Sequence, residues 1–532
     1  MPTPNFRFYL LLATAVLLAG PAWGIDPVFE SGPVKVPAGP DLTASDRIDE
    51  RVFARLAELN LKPANLCSDS VFLRRAYLAT IGTLPTEDET RDFLASADER
   101  KRAVVIEHLL QRPEFADFWA MKWGDILRVK AEFPIKLWPN AVQAYHHWIH
   151  DSIRENKPFH QFSHEILVAN GSNFREGQVN FFRAMQDRSP RGIASTVALT
   201  FMGERADQWP EKKLDALAGF FSQVAFKPTA EWKEEIVYFD PTADEEGLAK
   251  GAMFPDGTPV TLEPGKYDPR LVFADWLLRP ENPWFSRNIT NRVWSWLMGR
   301  GIVHEPDDFR PDNPPSNPAL LEFLQEEFVR SRCDMRNLFR VILNSQTFQL
   351  SSIPAQDSPE AVANFAHYPL RRLEAEVLID ALNQITQTKE DYSSPIPEPF
   401  TFIPDDVRGI ALADGSITSS FLELFGRPPR DTGFESERSR NTSSAQSLHL
   451  LNSSHIINKV KACPLVTGAS NSSDDHGELV ERAYLTLLSR MPTEAERKTI
   501  EAHAQETTVH ARELAADLVW ALINQPEFYF NH

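Results

Sequence analysis

The chain has 532 residues, of which 42% are hydrophobic and 11% are aromatic, and this composition excludes wholesale disorder. A chain of this length exceeds the size at which one core keeps growing, so we expect two domains. The formal net charge of -19 excludes a general nucleic-acid-binding protein, because phosphate binding requires clustered Lys and Arg side chains.

The N-terminus has the pattern of a secretory signal peptide over residues 1–24. An apolar run follows Arg7 and ends before Pro21, and the sequence AWG at 22–24 supplies the small residues of a cleavage site. A membrane span needs about twenty apolar residues, so this run is too short to be an anchor. We predict cleavage near Gly24 and an exported protein, periplasmic or secreted, with no membrane span after signal removal.

Apolar residues at helical spacing dominate the rest of the chain. Two stretches rich in Pro, Gly, Ser or Asp interrupt them, at 226–268 and 387–443, and short strands are expected at 235–240 and 258–262. We therefore predict an all-α, mostly helical fold of two domains, with a few short strands and long irregular loops. The expected boundaries are an extended leader at 25–45, a first helical domain at 46–240, a linker at 241–268 and a second helical domain at 269–532.

The two ends of the chain contain a near-repeat. Residues 75–115 include RAYLATIGTLPTEDE and end in PEF, and residues 482–528 include RAYLTLLSRMPTEAE and end in PEF. In both copies a Thr precedes a Glu by three residues, which is the signature of a capping box at a helix N-terminus. We predict that the second domain ends in a module that repeats part of the first.

Several long segments are recognisable together and in a fixed order. The first set consists of IDERVFARLAELNLKPA, FLRRAYLATIGTLPTEDE and VIEHLLQRPEFADFWAMKWGDILR. The second set consists of DPRLVFADWLLRPENPWFSRNITNRVWSWLMGRGIVHEPDDFRPDNPPSNPALLEFL, HYPLRRLEAEVLIDAL, SFLELFGRPPR and NQPEFYFNH. The chain resembles, over residues 46–532, a pair of domains of unknown function that occur together in exported planctomycete proteins. The resemblance implies a secreted or periplasmic protein and supplies no reaction.

Two departures from these relatives bear on cofactors. Many relatives carry Cys-x-x-Cys-His, an arrangement for covalent haem attachment or a metal site, and some carry an additional cytochrome-c-like domain. The corresponding stretch here, FMGERADQWPEKKLDALAGFF, contains neither Cys nor His. A Cys-Glu-Cys-Glu-Arg segment of the relatives is replaced by FESER at 434–438. We therefore expect no haem, and the only metals left open are zinc and copper.

Histidines are concentrated in one stretch, with five of the 14 lying within residues 146–164. His146 and His150 are spaced i,i+4, as are His160 and His164, so both rings of each pair lie on one helical face. These four residues are candidate ligands for zinc or copper. Ordinary solvated helix faces are the alternative, since the chain has no HExxH signature and relatives have other residue types at these places.

Carboxylates in two regions are candidates for acid–base chemistry. Asp307 and Asp308 follow Pro306, where the first turn of a helix with Arg310 as an ion-pair partner is the alternative explanation. The other region lies within 387–443. Its charged residues are Arg427, Arg430, Asp431, Glu435, Glu437 and Arg438. These residues could bind a ligand, or they could form a charged network that fastens the loop to the helices.

Two functions remain open from the sequence. The first is an exported helical scaffold or binding protein that engages another exported protein or a surface polysaccharide. The second is a periplasmic hydrolase that acts on carbohydrate, with or without a His-bound metal. No G-x-S-x-G elbow, P-loop or dinucleotide fingerprint is present, so the sequence leaves open whether the protein is an enzyme. Trp119, Trp123 and Trp294 stand at helical spacing and are expected in the core instead of forming sugar platforms.

Overall fold

The structure is a computed structural model that describes residues 26–244, 247–263, 265–469, 476–507 and 510–532. The predicted signal peptide at 1–24 lies outside the described residues. Within them the fold is 53% helical and 5% strand, which confirms the predicted all-α, mostly helical class. None of the helices in these ranges is long and apolar enough to cross a membrane.

The first half of the chain is a succession of short and medium helices. They are α1 (Ala44–Glu58), α2 (Asp69–Ile81), α3 (Glu87–Ala95), α4 (Lys101–Gln111), α5 (Pro113–Ile126), α6 (Pro139–Arg154), α7 (Phe159–Leu167), α8 (Asn180–Arg183), α9 (Pro190–Met202) and α10 (Glu211–Ala218). Short 3₁₀ turns lie at Gly177–Val179, Ala206–Gln208 and Leu248–Gly251.

The second half continues the pattern around a long irregular segment. Its helices are α11 (Pro269–Leu277), α12 (Pro283–Met298), α13 (Pro318–Arg330), α14 (Met335–Leu343), α15 (Pro359–Ala363), α16 (Ala375–Thr386), α17 (Ser420–Leu424), α18 (Ser444–Asn452), α19 (Ser454–Ala462), α20 (Pro464–Thr467), α21 (His476–Leu488), α22 (Glu494–Thr507), α23 (Ala511–Ile523) and α24 (Pro526–Tyr529). Short 3₁₀ turns lie at Gly409–Ala411 and Glu435–Glu437 within that segment.

The strands form three small antiparallel sheets. The strands are β1 (Glu30–Gly32), β2 (Leu66–Cys67), β3 (Gly171–Ser172), β4 (Val224–Pro228), β5 (Glu235–Phe239), β6 (Arg371–Arg372) and β7 (Phe530–Asn531). They pair as β1–β2, β3–β5–β4 and β6–β7. The strand expected at 235–240 is confirmed as β5. The one expected at 258–262 is wrong, because Gly257 turns the chain at φ +88° and only a single bridge joins Met253 to Pro259.

Local sequence signals explain where several helices begin and end. The capping boxes predicted at Thr86 and Thr493 both form: the side-chain oxygen of each accepts the backbone N–H three residues later at 3.2 Å. Helix α9 ends at Gly203, whose φ of +68° favours glycine. A Cβ at Gly203 would also lie 2.7 Å from the Phe309 ring, so this close approach admits no larger residue.

The buried apolar residues of both halves belong to one continuous core. Trp119, Trp123 and Trp294 lie within it at 2%, 4% and 0% exposure, as their helical spacing predicts. The three cysteines are free thiols. The cores of the two halves are therefore joined through packing, without a disulfide between them.

The two similar end segments contact each other and contain the same ion cluster. Arg91 of α3 pairs with Glu481 of α21 at 2.5 Å. In the first segment Arg112 bridges the capping-box Glu89 (2.8 Å) and the Glu of Pro-Glu-Phe, Glu114 (2.5 Å). In the last segment one arginine bridges the two equivalent glutamates. These contacts are Arg490–Glu496 at 2.8 Å and Arg490–Glu527 at 2.6 Å. Each end segment thus has one arginine between two glutamates, and the arginine comes from a different sequence position in each. The repeat itself stays a prediction.

Candidate functional site

Helix α5 carries two charged residues into the interior. The helix begins at Pro113 and most of its residues are buried, yet Lys122 and Asp125 stand among its aromatic residues at 4% and 8% exposure. Burying a charge is costly unless it is paired, so both must find partners elsewhere in the chain. All of those partners come from the second half.

Asp125 fastens the irregular segment to α5. Its Oδ1 accepts from Arg430 Nε at 2.9 Å, and its Oδ2 accepts from Arg438 Nη2 at 2.6 Å. Arg438 also donates to Glu376 of α16 at 2.7 Å, and Arg427 lies 3.4 Å from the same carboxylate. We call this set of residues, together with Lys122, Glu374 and Arg440, the charged network.

The charged network gives most of the charged residues at 427–438 a structural role, which is one of the two alternatives that the sequence left open. Arg427, Arg430 and Arg438 seal the irregular segment to helices α5 and α16, and Glu437 accepts the backbone N–H of Asp431 at 2.9 Å. Glu435 differs from these residues because its contacts lead towards an open cleft.

The cleft lies where the two halves of the chain meet, and the space inside it that water can reach is about 40 Å³, which suits a few water molecules or one small anionic group. We call it the junction cleft. Helices α2 and α5 provide one side, and α12, the β6 region and the end of the irregular segment provide the other. Its lining residues are Leu78, Ala79, Phe118, Trp119, Lys122, Trp296, Arg371, Arg372, Leu373, Glu374, Val377, Arg440 and Asn531.

The lining of the junction cleft carries an excess of positive charge. Lys122, Arg371, Arg372 and Arg440 face one carboxylate, that of Glu374. Arg371 donates to the carbonyls of Trp296 and Leu297, and Arg372 donates to those of Phe425 and Ser439. Lys122 and Arg440 pair with Glu374, and Arg440 also lies 3.8 Å from Glu435. The excess charge of the lining is therefore that of Arg371 and Arg372, because carbonyl oxygens satisfy hydrogen bonds without neutralising a guanidinium.

Two polar groups at the cleft lack hydrogen-bond partners. The Oδ1 atom of Asn531 is buried and accepts no hydrogen bond, although the residue lines the cleft at 7% exposure. The Oε2 atom of Glu374 is likewise without one, and its nearest cation is Arg438 at 3.4 Å. Unpaired buried polar atoms are uncommon in folded proteins, and they are often explained by a ligand, a water or a catalytic role.

Glu435 and Asp307 meet beside the cleft. The backbone N–H of Glu435 donates to Asp307 Oδ2 at 2.7 Å, and Asp307 Oδ1 pairs with the buried Arg292 at 2.5 Å. The Glu435 carboxylate accepts from Trp296 Nε1 at 2.8 Å and lies 3.8 Å from Arg440. Asp307 therefore positions the backbone of Glu435, while Trp296 and Arg440 connect its carboxylate to the cleft lining.

The two glutamates at the cleft have opposite pKa shifts. Burial alone would raise the pKa of Glu374, but the charges of Lys122, Arg438 and Arg440 outweigh it and hold that pKa well below its usual range. Burial raises the pKa of Glu435, and Lys122 and Arg440 only partly oppose the rise. One glutamate is thus held ionised and the other is biased towards its protonated form.

The helix N-terminus expected at Pro306 is wrong. Residues 304–313 form turns, and the next helix is α13 at Pro318. Asp307 is buried because the close ion pair with Arg292 compensates its charge, whereas Asp308 turns outward and pairs with the expected partner, Arg310, at 3.2 Å. The carboxylates of Asp307 and Asp308 therefore do not face a common site.

The histidine-rich stretch lies on two separate helices. His146 and His150 stack on α6 with ring centroids 6.1 Å apart, and His160 and His164 lie on α7. His146 is buried, whereas His160 is exposed and His150 contacts Asp117 at 3.1 Å. The described part of the chain contains no group of three or more His, Cys, Asp or Glu side chains arranged to hold a metal ion. Zinc or copper binding by the four histidines stays a prediction that elemental analysis of the purified protein can check.

His146 makes the stability of the protein depend on pH. Burial lowers its pKa from 6.5 to about 3. Between these values the unfolded state binds a proton that the folded state does not, so this histidine lowers stability as the pH falls below 6.5. The loss reaches about 2 kcal/mol at pH 5.

Glutamine does not titrate, so His146→Gln should lose about 2 kcal/mol less of its free energy of unfolding between pH 7 and pH 5 than the wild type does. Urea unfolding of the wild type and His146→Gln at both pH values measures this difference. Asp49 and Asp380, whose pKa values burial raises to about 6, titrate in the opposite sense but are common to both proteins. Parallel pH profiles for the two proteins would contradict the prediction.

The lining of the junction cleft could not be recognised in the sequence. Lys122 lies 252 residues before Glu374, and Glu374 lies 66 residues before Arg440, so no short motif connects them. One signal was available, because Lys122 and Asp125 interrupt the otherwise apolar sequence WAMKWGDIL. Charged residues at core-facing positions of an aromatic helix indicate buried ion pairs or a site.

The fold and the cleft define a helical protein whose two halves share a charged junction. A model for a protein of unknown function, PSCyt2 (DUF1549), matches residues 47–225, and one for a protein of unknown function, PSD1 (DUF1553), matches residues 269–504. The chain is thus a member of a paired-domain family of unknown function that carries these two domains in tandem. No curated protein and no solved structure matches it. The two matched segments contribute opposite sides of the junction cleft.

Proposed function

We propose that this protein is an exported binding scaffold whose junction cleft takes an anionic group of a surface polysaccharide. The observation that carries the proposal is the lining of the cleft, in which four cationic side chains face one carboxylate. The chain as a whole has a formal net charge of -19, so this local reversal of sign is not a consequence of composition. A cleft lined by one sign of charge concentrates ligands of the opposite sign.

The proposed ligand group is the carboxylate of a sugar acid, held between cationic and apolar walls. Trp119, Trp296 and Phe118 line the same space as Lys122 and Arg440. A uronic acid carries a carboxylate at its edge, which matches the cationic part of the lining. Its sugar ring would remain outside the cleft, because Phe118, Trp119 and Trp296 are at most 4% exposed and cannot stack on it. Export is supported by the signal-peptide pattern at residues 1–24, which would place the protein where such polymers occur.

The first test is calorimetric titration of the mature protein with polygalacturonate, which carries carboxylates, and with dextran sulfate, which carries sulfates. We expect binding of at least one polymer that weakens as salt is added. Arg440→Met is expected to weaken this binding about tenfold or more, because its side chain is 26% exposed and its charge is available at the cleft. Arg154→Met, which removes an arginine that is 56% exposed on α6, is the matched control and should bind as the wild type does.

Absence of binding to both polymers, or equal binding by Arg440→Met, would refute the polysaccharide proposal. An exported protein is the other partner class consistent with a binding scaffold. Capture of an exported protein that requires Arg440, without polymer binding, would assign the cleft to that class.

A second candidate function is a hydrolase acting on carbohydrate. The opposite pKa shifts of Glu374 and Glu435 favour it, since glycosidases use one protonated and one ionised carboxyl group. On this hypothesis Glu435 would act as the acid. Release of reducing ends from the same polymers, lost in Glu435→Gln, would establish hydrolysis, and its absence in the wild type would exclude hydrolysis of these polymers.

A further inference from the structure

A cluster of exposed aromatic side chains lies away from the junction cleft and shares no lining residue with it. Phe133, Trp232, Phe400 and Phe402 are 70%, 69%, 50% and 71% exposed. Across the described ranges, no other Phe or Trp is among the strongly exposed large hydrophobic residues. The remaining exposed apolar residues are aliphatic and scattered over other elements.

These aromatic residues belong to three separate segments, two of which place a ring, Trp232 or Phe400, against Trp138 of the third. The Trp138 ring lies 6.5 Å from that of Trp232, at an interplanar angle of 86°. It lies 5.3 Å from the ring of Phe400, at 58°. Phe133 precedes Trp138 in the same loop, and Phe402 follows Phe400. We call these five residues the aromatic surface.

Backbone hydrogen bonds hold the three segments in place. In the first, Leu137 N–H donates to Lys130 O and Trp138 N–H donates to Ala131 O, both at 3.3 Å. In the hairpin between β4 and β5, Thr229 N–H donates to Glu234 O at 3.2 Å. In the third, Phe400 N–H donates to Pro397 O at 3.1 Å. The rings are therefore carried by closed turns instead of by extended loops.

The backbone at Trp138 is strained. Its φ of +77° and ψ of +146° belong to a region that residues with a side chain rarely adopt. Lys136 and Lys233, beside the same rings, also have positive φ values of 61° and 64°. Such conformations cost free energy, so the surrounding turns must hold these residues in place.

The charges around the aromatic surface argue against an anionic ligand. The unburied charged residues of the three turns are Glu132, Lys136, Glu231, Lys233 and Glu398, together with Glu234, which is hydrogen-bonded by Thr229 and Ser172. This set has four carboxylates and two lysines, and the lysines lie over the rings, Lys136 at 5.2 Å from the centre of Phe133 and Lys233 at 5.1 Å from that of Trp232. An anionic bilayer or a polyanion is attracted by clustered Lys and Arg, so neither matches the surface.

The composition also favours a sugar polymer over a protein. The centres of protein interfaces combine aromatic residues with other apolar residues such as Met. Here the neighbouring aliphatic residues Ile135 and Leu137 are buried at 3% and 0% exposure, and only rings are presented. A pyranose ring has an apolar face of C–H groups that an aromatic ring covers, while its hydroxyls can bond to flanking Lys and Glu side chains.

We propose that the aromatic surface binds a neutral polysaccharide built of pyranose units by stacking its sugar rings. The surface gives the protein a second polymer contact, independent of the anionic group at the junction cleft. It extends the proposed binding role and does not depend on whether the cleft binds a ligand or catalyses a reaction.

The test is native electrophoresis of the mature protein in gels that contain hydroxyethylcellulose, galactomannan or laminarin. We expect at least one polymer to retard the wild type. Trp232→Ala and Phe402→Ala should each weaken that binding about tenfold, whereas Trp232→Phe should retain most of it because a flat ring remains. Leu448→Ala, which truncates a residue that is 57% exposed in α18, should bind as the wild type does.

Several outcomes would overturn the proposal. One is the absence of retardation by all three polymers, and another is retardation that both alanine variants retain. A third is a wild type that binds no polymer and runs in gel filtration above the monomer mass, while Trp232→Ala runs at the monomer mass. This result would assign the surface to a second copy of the chain. Arg440→Met should be retarded as the wild type is, so failure of the cleft proposal and failure of this one are distinguishable.

Discussion

Replacing Asp125 with asparagine is expected to lower the free energy of unfolding by about 3–5 kcal/mol. Asp125 is the common partner of Arg430 and Arg438, whose side chains are 1% and 4% exposed. Asparagine preserves the shape of the side chain but removes its charge, which leaves two buried guanidinium groups short of one counter-charge. Urea unfolding followed by tryptophan fluorescence measures the change.

The matched control for this prediction is Asp151→Asn on α6. Asp151 pairs with Arg154 at 3.1 Å, but the two side chains are 51% and 56% exposed. An exposed ion pair contributes at most about 1 kcal/mol, so the control should differ little from the wild type. Similar small losses in both variants would show that the charged network does not hold the two halves together.

Replacing Lys122 with methionine is expected to reduce both stability and anion binding. Lys122 is 4% exposed and forms a close ion pair with Glu374, so its removal leaves a buried carboxylate with fewer counter-charges and costs about 3 kcal/mol. It also removes one cation from the lining of the junction cleft. Urea unfolding and titration with polygalacturonate measure the two effects separately.

The variant Arg440→Met distinguishes the effect on anion binding from the effect on stability. Arg440 contacts Glu374 at 3.2 Å, but its side chain is 26% exposed and water can compensate for its loss. We expect it to cost less than about 1 kcal/mol of stability while anion binding falls as it does in Lys122→Met. If both variants bound the polymer normally, Lys122 and Arg440 would have only a structural role.

The helical architecture was predictable because its signals are local. The capping boxes at Thr86 and Thr493 and the apolar spacing of the helices involve residues within a few positions of each other. The strand β5 was predictable for the same reason. The helix expected at Pro306 was not formed, because burial of Asp307 against Arg292 fixes the backbone there and no local signal reveals that contact.

Neither candidate site could be predicted, because each depends on contacts between distant segments. The junction cleft joins Lys122 with Glu374 and Arg440, and the aromatic surface joins Trp138 with Trp232 and Phe400. The aromatic residues of that surface lie in Pro-rich or irregular stretches where periodicity gives no information on burial. Helical spacing identifies the tryptophans of helices, which are buried, whereas the exposed aromatic rings are carried by turns.

Hydrogen–deuterium exchange with and without polygalacturonate tests most directly whether the junction cleft is the binding site. The proposed function predicts slower exchange in peptides covering 119–125, 371–376 and 435–440, since these segments contribute the lining and the charged network. Peptides that cover the aromatic surface at 130–138 should exchange as they do without the polymer. Protection confined to other parts of the chain, with the cleft peptides unchanged, would contradict the central claim.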